Sequence, residues 1–137
     1  MADVLFVTMR WLHFVSMAAL IGGILFARLV MTPASRALAP DAREALADKA
    51  AAAFRPFVVA AMTGLGVSGL YNFLTNPGHR PLYHLLLGIK LLLAFHVFAA
   101  TVLATQPENP RRAGMLTGAI VSGLAIIAIA AYLRRIF

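Results

Sequence analysis

The chain has 137 residues, of which 61% are apolar and 12% are charged. Soluble domains average about 45–50% apolar and about 25% charged residues, so this composition argues against a water-soluble globule and predicts a membrane protein. Cysteine is absent, which leaves His, Met, Lys and carboxylate side chains as ligands for any metal or cofactor. The net charge of +7 suits a protein that faces anionic lipid headgroups, and we expect no nucleic-acid partner.

Charged residues divide the sequence into four long apolar stretches, each close to the roughly 20 residues that a helix needs to cross a bilayer. The predicted spans are 4–29, 56–74, 82–105 and 113–133. Apolar residues run through them without the alternation of a β-barrel, so we predict an all-α, integral membrane four-helix bundle with up-and-down topology. Tight turns are predicted at Asn76-Pro77-Gly78 and at 107–110. Because the number of predicted spans is four, both termini are expected on one side of the membrane.

The connection between the first two spans, residues 33–55, is rich in alanine and amphipathic. Asp41 and Glu44 are typical of a capped helix start, so the second helix is predicted to begin there, outside the membrane. From Asp41 to Leu74 such a helix is about 51 Å long, so about a third of it must project beyond the hydrocarbon or bend at Pro56. We therefore predict a long amphipathic extension before span two.

Lysine and arginine residues indicate the orientation of the bundle. The side with the first and third connections carries Arg28, Arg36, Arg43, Lys49, Arg55, Arg111 and Arg112, and the side with the termini carries Arg10, Arg80, Arg134 and Arg135. Because short cytoplasmic loops are enriched in Lys and Arg, we predict cytoplasmic connections and termini outside the cytoplasm.

Small residues form two patterns within the spans. One is G-x-G-x-x-G at Gly64, Gly66 and Gly69, but it lies inside an apolar span with no preceding strand, so it does not predict a dinucleotide site. The other is a stripe with a spacing of four, at Ala60, Gly64 and Ser68 and again at Gly118 and Ser122. Such stripes predict close helix packing, and room for a flat cofactor beside Gly64 is the alternative.

Ionisable side chains inside a span are often functional, and two histidines lie deep in predicted spans. His13 lies about 15 Å into span one and His96 about 21 Å into span three, so their depths differ by about one helical turn. That offset fits ligation of one metal centre, and hydrogen-bonded interior histidines are the alternative. His84 lies about 12 Å shallower than His13 and suits an interfacial position.

Lys90 is the fourth ionisable group of interest. At 100° per residue, His84, Lys90 and His96 lie about 120° apart around span three, so at most two of them can flank a central site. Lys90 either reaches the headgroups or serves a buried ligand or proton relay. No acidic residue lies in a span and no Ser-His-Asp constellation is evident, so hydrolysis and carboxylate-driven proton pumping are poorly supported.

Met9, His13 and Met17 form a stripe with a spacing of four on span one. Thioether and imidazole groups together are suitable ligands for Cu(I). Methionines in an apolar helix usually fill space, and a copper path along this stripe is the alternative.

Several short motifs carry a family resemblance. Arg10-Trp11-Leu12-His13, followed by Gly22-Gly23-Ile24-Leu25-Phe26, and Gly88-Ile89-Lys90-Leu91 in span three resemble the membrane domain of the bacterial copper resistance protein D family. The chain is also similar, more weakly, to the four-helix protoporphyrinogen oxidases of the HemJ type. Those enzymes depend on a histidine in the first span and a lysine in the third, which correspond here to His13 and Lys90.

The resemblance implies haem b binding in a bacterial inner membrane, with copper uptake or homeostasis in the copper-resistance branch. We expect the haem iron between His13 and His96, and the propionates near Arg10, Arg80 and His79 on the side of the termini. Electron transfer or haem-linked oxidation would follow. A third alternative is a structural protein whose small-residue faces dock a second copy or a larger membrane complex.

Overall fold

The computed structural model describes residues 1–75 and 80–135. Within this part of the chain the secondary structure is helical and includes no strand, which confirms the all-α prediction. The elements are α1 (Ala2–Leu25), a π-helical segment (Phe26–Met31), α2 (Thr32–Ala34), a 3₁₀ turn (Ser35–Ala37), α3 (Pro40–Leu74), α4 (Pro81–Ala104) and α5 (Arg112–Arg135). Four helical stretches are long and apolar enough to cross a membrane. The turn predicted at 76–78 lies outside the described residues.

The first helical stretch continues beyond its predicted end at residue 29, through Ala37. The reason for the π-helical segment is Pro33, which has no N–H for an α-helical hydrogen bond and whose ring crowds the preceding turn. The backbone N–H and the hydroxyl of Thr32 both donate instead to the carbonyl of Ala27, five residues earlier. The helix is therefore widened rather than broken at this point.

The continuous helix predicted from Asp41 to Leu74 is confirmed. Helix α3 runs without interruption through Pro56 for 35 residues, about 52 Å at 1.5 Å per residue. It starts with Pro40 in its first turn, where the missing N–H costs nothing. The predicted side-chain cap is absent because the capping position is Ala39. Asp41 instead lies in the first turn, where its negative charge interacts favourably with the positive end of the helix dipole.

The four long helices pack as two pairs. Helix α1 packs mainly against α3, and α4 mainly against α5, while smaller contacts between α1 and α5 and between α3 and α4 join the pairs. Helices α1 and α4 thus lie diagonally across the bundle. We call the end with the connections 26–39 and 105–111 the arginine-rich end, and the opposite end, where α1 begins and α5 stops, the terminal end.

The apolar core is concentrated toward the arginine-rich end of the bundle. Its fully buried members come from all four long helices: Leu20, Ile24, Val58, Ala61, Val97, Ala100, Ala104, Leu116 and Ala119. Within the predicted spans these residues lie toward the arginine-rich end, while Leu133, near the other end of α5, is also buried. Large apolar side chains such as Trp11, Leu92 and Phe95 face outward instead, which suits a hydrocarbon environment better than water.

Arginine side chains join the helices at the arginine-rich end. Arg112 pairs with Asp48 of α3 and also donates to the carbonyls of Ala104 and Gln106, at the end of α4. Arg55 of α3 donates to the carbonyl of Thr105 at 2.9 Å. Because the last carbonyls of a helix have no partner within it, these two arginines supply the missing donors and tie the two helix pairs together.

Asp48→Asn should weaken this junction. The carboxylate accepts the Arg112 guanidinium and the backbone N–H of Glu108, and an amide keeps the size of the side chain but loses the charge. We expect a modest loss of stability, because water screens the pair at this end of the bundle, and it should appear as a lower melting temperature in detergent. Asp41→Asn, on the exposed first turn of the same helix, is the control. An equal melting temperature for both variants would contradict the role of the junction.

Candidate functional site

A chain of hydrogen bonds links α1 and α3 in the half of the bundle nearer the terminal end. The ring Nδ1 of His13 lies 2.9 Å from the hydroxyl of Ser68. That hydroxyl lies 2.5 Å from the carbonyl oxygen of Gly64, one turn earlier on α3. Ser68 is fully buried and His13 is half-buried, so the bonds lie between helices rather than on the outer surface.

The distances show which atoms donate the protons in these two hydrogen bonds. Two oxygen atoms 2.5 Å apart need a hydrogen between them, and only the Ser68 hydroxyl can supply it, since the Gly64 carbonyl has none. The Ser68 oxygen is then left to accept a hydrogen bond from Nδ1–H of His13. Neutral His13 consequently carries its proton on Nδ1 and presents an unprotonated Nε2, which is the form that binds a metal.

Gly64 permits the close approach of α1 and α3 on which these hydrogen bonds depend. A Cβ at this position would collide with the hydroxyl of Ser16 and would lie 3.3 Å from the side chain of Leu12, both on α1. Gly64 and Ser68 are buried between α1 and α3. Part of the predicted small-residue stripe is thus used inside the bundle, and Gly64 acts on His13 through Ser68.

Lys90 lies on the inner face of α4, opposite His13. It is seven residues before the buried Val97, which places the two about 20° apart around the helix. Its ammonium group lies within electrostatic range of the His13 ring. Among residues 1–75 and 80–135, Lys90 has no hydrogen bond or ion pair from another side chain, and no acidic residue lies in the four predicted spans. This interior is therefore basic and lacks an anion.

His96 lies at a different interface. Its Nδ1 is 2.8 Å from the hydroxyl of Ser122 on α5, its ring is largely exposed, and it lines a shallow groove between α4 and α5 beside Gly118. His96 is about 120° from Lys90 around α4. For His96 to share one iron with His13, α4 would have to turn until His96 occupied the face that Lys90 now occupies.

The remaining predicted residues lie around this site. Met9 and Met17 are half-buried on the face of α1 that carries His13. Arg10, one turn nearer the terminal end, lies over the ring of Phe6 at 5.3 Å. Arg80 is exposed just before α4, and His84 is exposed in the first turn, beside the ring of Tyr83. His79, the third expected propionate partner, lies outside the described residues.

Sequence reasoning recognised Ser68 and Ser122 only as small packing residues. In the structure each is the hydrogen-bond partner of a histidine, and each follows a glycine by four residues on the second helix of its pair. The available signal was a polar side chain on the packing face of an apolar helix, where it needs a partner. The two sites still differ, because only Ser68 also donates to a backbone carbonyl.

Comparison with family models, curated proteins and solved structures finds no match to this chain. The resemblance to the copper resistance protein D family accordingly stays a prediction from the sequence. In the part of the chain that the structure describes, no three His, Cys, Asp or Glu side chains gather as a metal site. A metal held by these residue types would therefore have fewer than three of them as ligands, as the iron of a haem does.

Gly64→Leu should force α1 away from α3. A leucine would drive into Ser16 and Leu12, so we expect a loss of about 1–3 kcal/mol, measured as thermal stability in detergent. Gly66→Leu is the matched control, because nothing lies within 4 Å of a Cβ added there. If both leucine variants melt at the wild-type temperature, the tight contact at Gly64 is not needed for the fold.

Proposed function

We propose that this chain is a multi-pass protein of a bacterial inner membrane, with its arginine-rich end in the cytoplasm and its termini outside. Four helices of membrane-spanning length, an outward-facing apolar surface and seven Lys or Arg residues at one end support this orientation. Because water is absent from the hydrocarbon, polar groups in the helices must find partners inside the bundle. His13, Ser68 and the Gly64 carbonyl form one such internally satisfied set.

We further propose that the protein binds haem b and acts in electron transfer or haem-linked oxidation. The observation that carries this proposal is the pair of hydrogen bonds at Ser68, which engages Nδ1 of His13 and leaves Nε2 as the nitrogen available to a metal. A histidine whose other nitrogen is fixed by a hydrogen bond is typical of metal ligation. A structural interior histidine also makes a hydrogen bond of this kind, and we assign that structural role to His96.

The charges around His13 fit a porphyrin with two carboxylates. Arg10 lies one turn nearer the terminal end and Arg80 lies in the connection to α4, so both cations are at the end of the bundle where propionates could emerge. Lys90 adds a third cation, and an unpaired ammonium in hydrocarbon is costly unless an anion accompanies it. An anionic cofactor would supply the charge that the described residues do not.

Each of these residues would have a separate role toward a bound haem. His13 would hold the iron, Ser68 would fix the ring orientation and proton position of His13, and Arg10 and Arg80 would bind carboxylates. Lys90 would compensate negative charge and hold a proton in the interior. When bound, haem supplies one-electron redox chemistry whose potential depends on the axial ligand and on its hydrogen bonds.

His13→Ala should abolish or shift the Soret band of protein expressed with added haem, because the axial nitrogen is lost. Ser68→Ala should keep the band but change the midpoint potential, since the hydrogen bond to the axial ligand is lost. Absorption spectra and redox titrations measure both effects.

His96→Ala separates the two arrangements of ligands. If one iron is shared between His13 and His96, both alanine variants lose the same spectrum. If His13 is the protein ligand and His96 belongs to the groove of α4 and α5, only His13→Ala does so. A normal Soret band with unchanged potential in both variants would remove the axial assignment.

Copper uptake is the second candidate function. Met9, His13 and Met17 lie half-buried on one face of α1, where soft ligands could pass Cu(I) along the helix. Exchanging both methionines for leucine conserves volume, so the fold should survive while Cu(I) accumulation in cells falls severalfold. Unchanged accumulation, measured by atomic absorption, would eliminate this function.

A further inference from the structure

A large cavity lies at the arginine-rich end, far from His13. Its volume is about 940 Å³, within the range of small-molecule sites. Its walls are the end of α1 with the π-helical segment, the first half of α3, and the facing ends of α4 and α5. Along the first helical stretch it extends from Gly23 in α1 to Ser35 in the 3₁₀ turn, about 18 Å at 1.5 Å per residue.

The cavity has an apolar interior that opens sideways. Phe26 and Phe57 line it and are 59% and 65% exposed, so its opening is continuous with the apolar outer surface of the bundle. Ala47, Ala50 and Ala51 form a smooth wall on α3. A ligand that enters through such an opening would come from the hydrocarbon rather than from water.

Charges of both signs border the outer end of the cavity. Arg36 and Glu44 both line it, and among the described residues neither side chain has a hydrogen bond or an ion pair. Arg43 is already occupied, because it donates to the carbonyls of Ser35, Arg36 and Leu38. Glu108 lines the cavity too, and among the described residues its side chain likewise has no hydrogen bond or ion pair. The cavity therefore offers one free cation and two free anions above an apolar channel.

The π-helical segment forms part of the wall. Phe26, Ala27 and Met31 belong to it and line the cavity. A widened turn carries one extra residue per hydrogen bond and is frequent at functional sites. Here the widening follows from Pro33, and it occurs on the helix that borders the cavity.

We propose that this cavity binds a phospholipid with an ethanolamine headgroup, one molecule per chain. The phosphate would pair with Arg36, the ammonium group with Glu44, and the acyl chains would lie along the alanine wall between Phe26 and Phe57. Charges of both signs at the outer end favour a zwitterionic headgroup over a purely anionic one. The inference rests on membrane insertion but not on haem binding, so either proposal can fail without the other.

The test is native mass spectrometry of delipidated protein in detergent, titrated with a phosphatidylethanolamine and, separately, with a phosphatidylglycerol of the same acyl chains. Ala51→Trp fills the cavity and should abolish binding of one phosphatidylethanolamine per chain. Ala52→Trp is the control, since Ala52 is the exposed neighbour that does not line the cavity. If Ala51→Trp does not fold, Ala47→Leu narrows the same wall and should weaken binding severalfold.

The headgroup contacts have their own pair of variants. Arg36→Gln should weaken phosphatidylethanolamine binding about tenfold, because it removes a charge-assisted hydrogen bond. Lys49→Gln, at the same end but outside the cavity, should leave it unchanged. Free phosphoethanolamine, which lacks the chains, should not compete.

Several outcomes would overturn the proposal. Equal lipid binding by the Ala51→Trp and Ala52→Trp variants would show that the lipid does not occupy the cavity. Equal affinity for phosphatidylglycerol would show that Glu44 does not bind the ammonium group. Full competition by phosphoethanolamine would show that the acyl chains do not bind in the apolar channel. Capture of a second protein chain instead of lipid would assign the cavity to a partner helix.

Discussion

The close approach of α1 and α3 at Gly64 is the constraint on which the proposed site depends. Because the glycine has no side chain, Ser16 and Leu12 of α1 can pack directly against α3. At that separation Ser68 reaches His13 while it still donates to the Gly64 carbonyl. One packing contact therefore sets both the position of the imidazole and the location of its proton.

The two halves of the bundle differ in the kind of side chain that lies in their interior. Most of the buried apolar core lies toward the arginine-rich end, and polar groups such as His13, Ser68 and Lys90 lie in the interior nearer the terminal end. Hydrophobic packing and helix-end contacts can hold the four helices together at one end. Consequently the terminal half can carry groups that are costly to bury without relying on them for stability.

Arginine has three separate uses at the arginine-rich end. Arg112 and Arg55 satisfy the last carbonyls of α4, Arg43 satisfies those of the 3₁₀ turn, and Arg36 is left free beside the cavity. A count of positive charges, which is what indicates membrane orientation, does not separate these uses. The same excess of arginine is the basis of the proposed orientation, caps helix ends and supplies a candidate lipid contact.

The sequence by itself determined the class of fold. Four apolar stretches of membrane length and a helix start near Asp41 were enough to predict four helices and the long extension of α3, because hydrophobic length and helix-start residues act locally. It also picked out His13, since an ionisable group in an apolar span is conspicuous. The predicted depths of His13 and His96 depend only on their positions along their own spans, so they do not indicate which neighbour each ring faces.

Only the tertiary structure decided which side chains meet. Helix pairing placed Ser68 on His13 and Ser122 on His96, and it turned Lys90, rather than His96, toward the interior opposite His13. It likewise joined Asp48 to Arg112, 64 residues apart in the chain. The physical reason is that rotation of a helix about its axis is set by packing against its neighbours, and an almost uniformly apolar helix carries little periodic signal from which that rotation can be predicted.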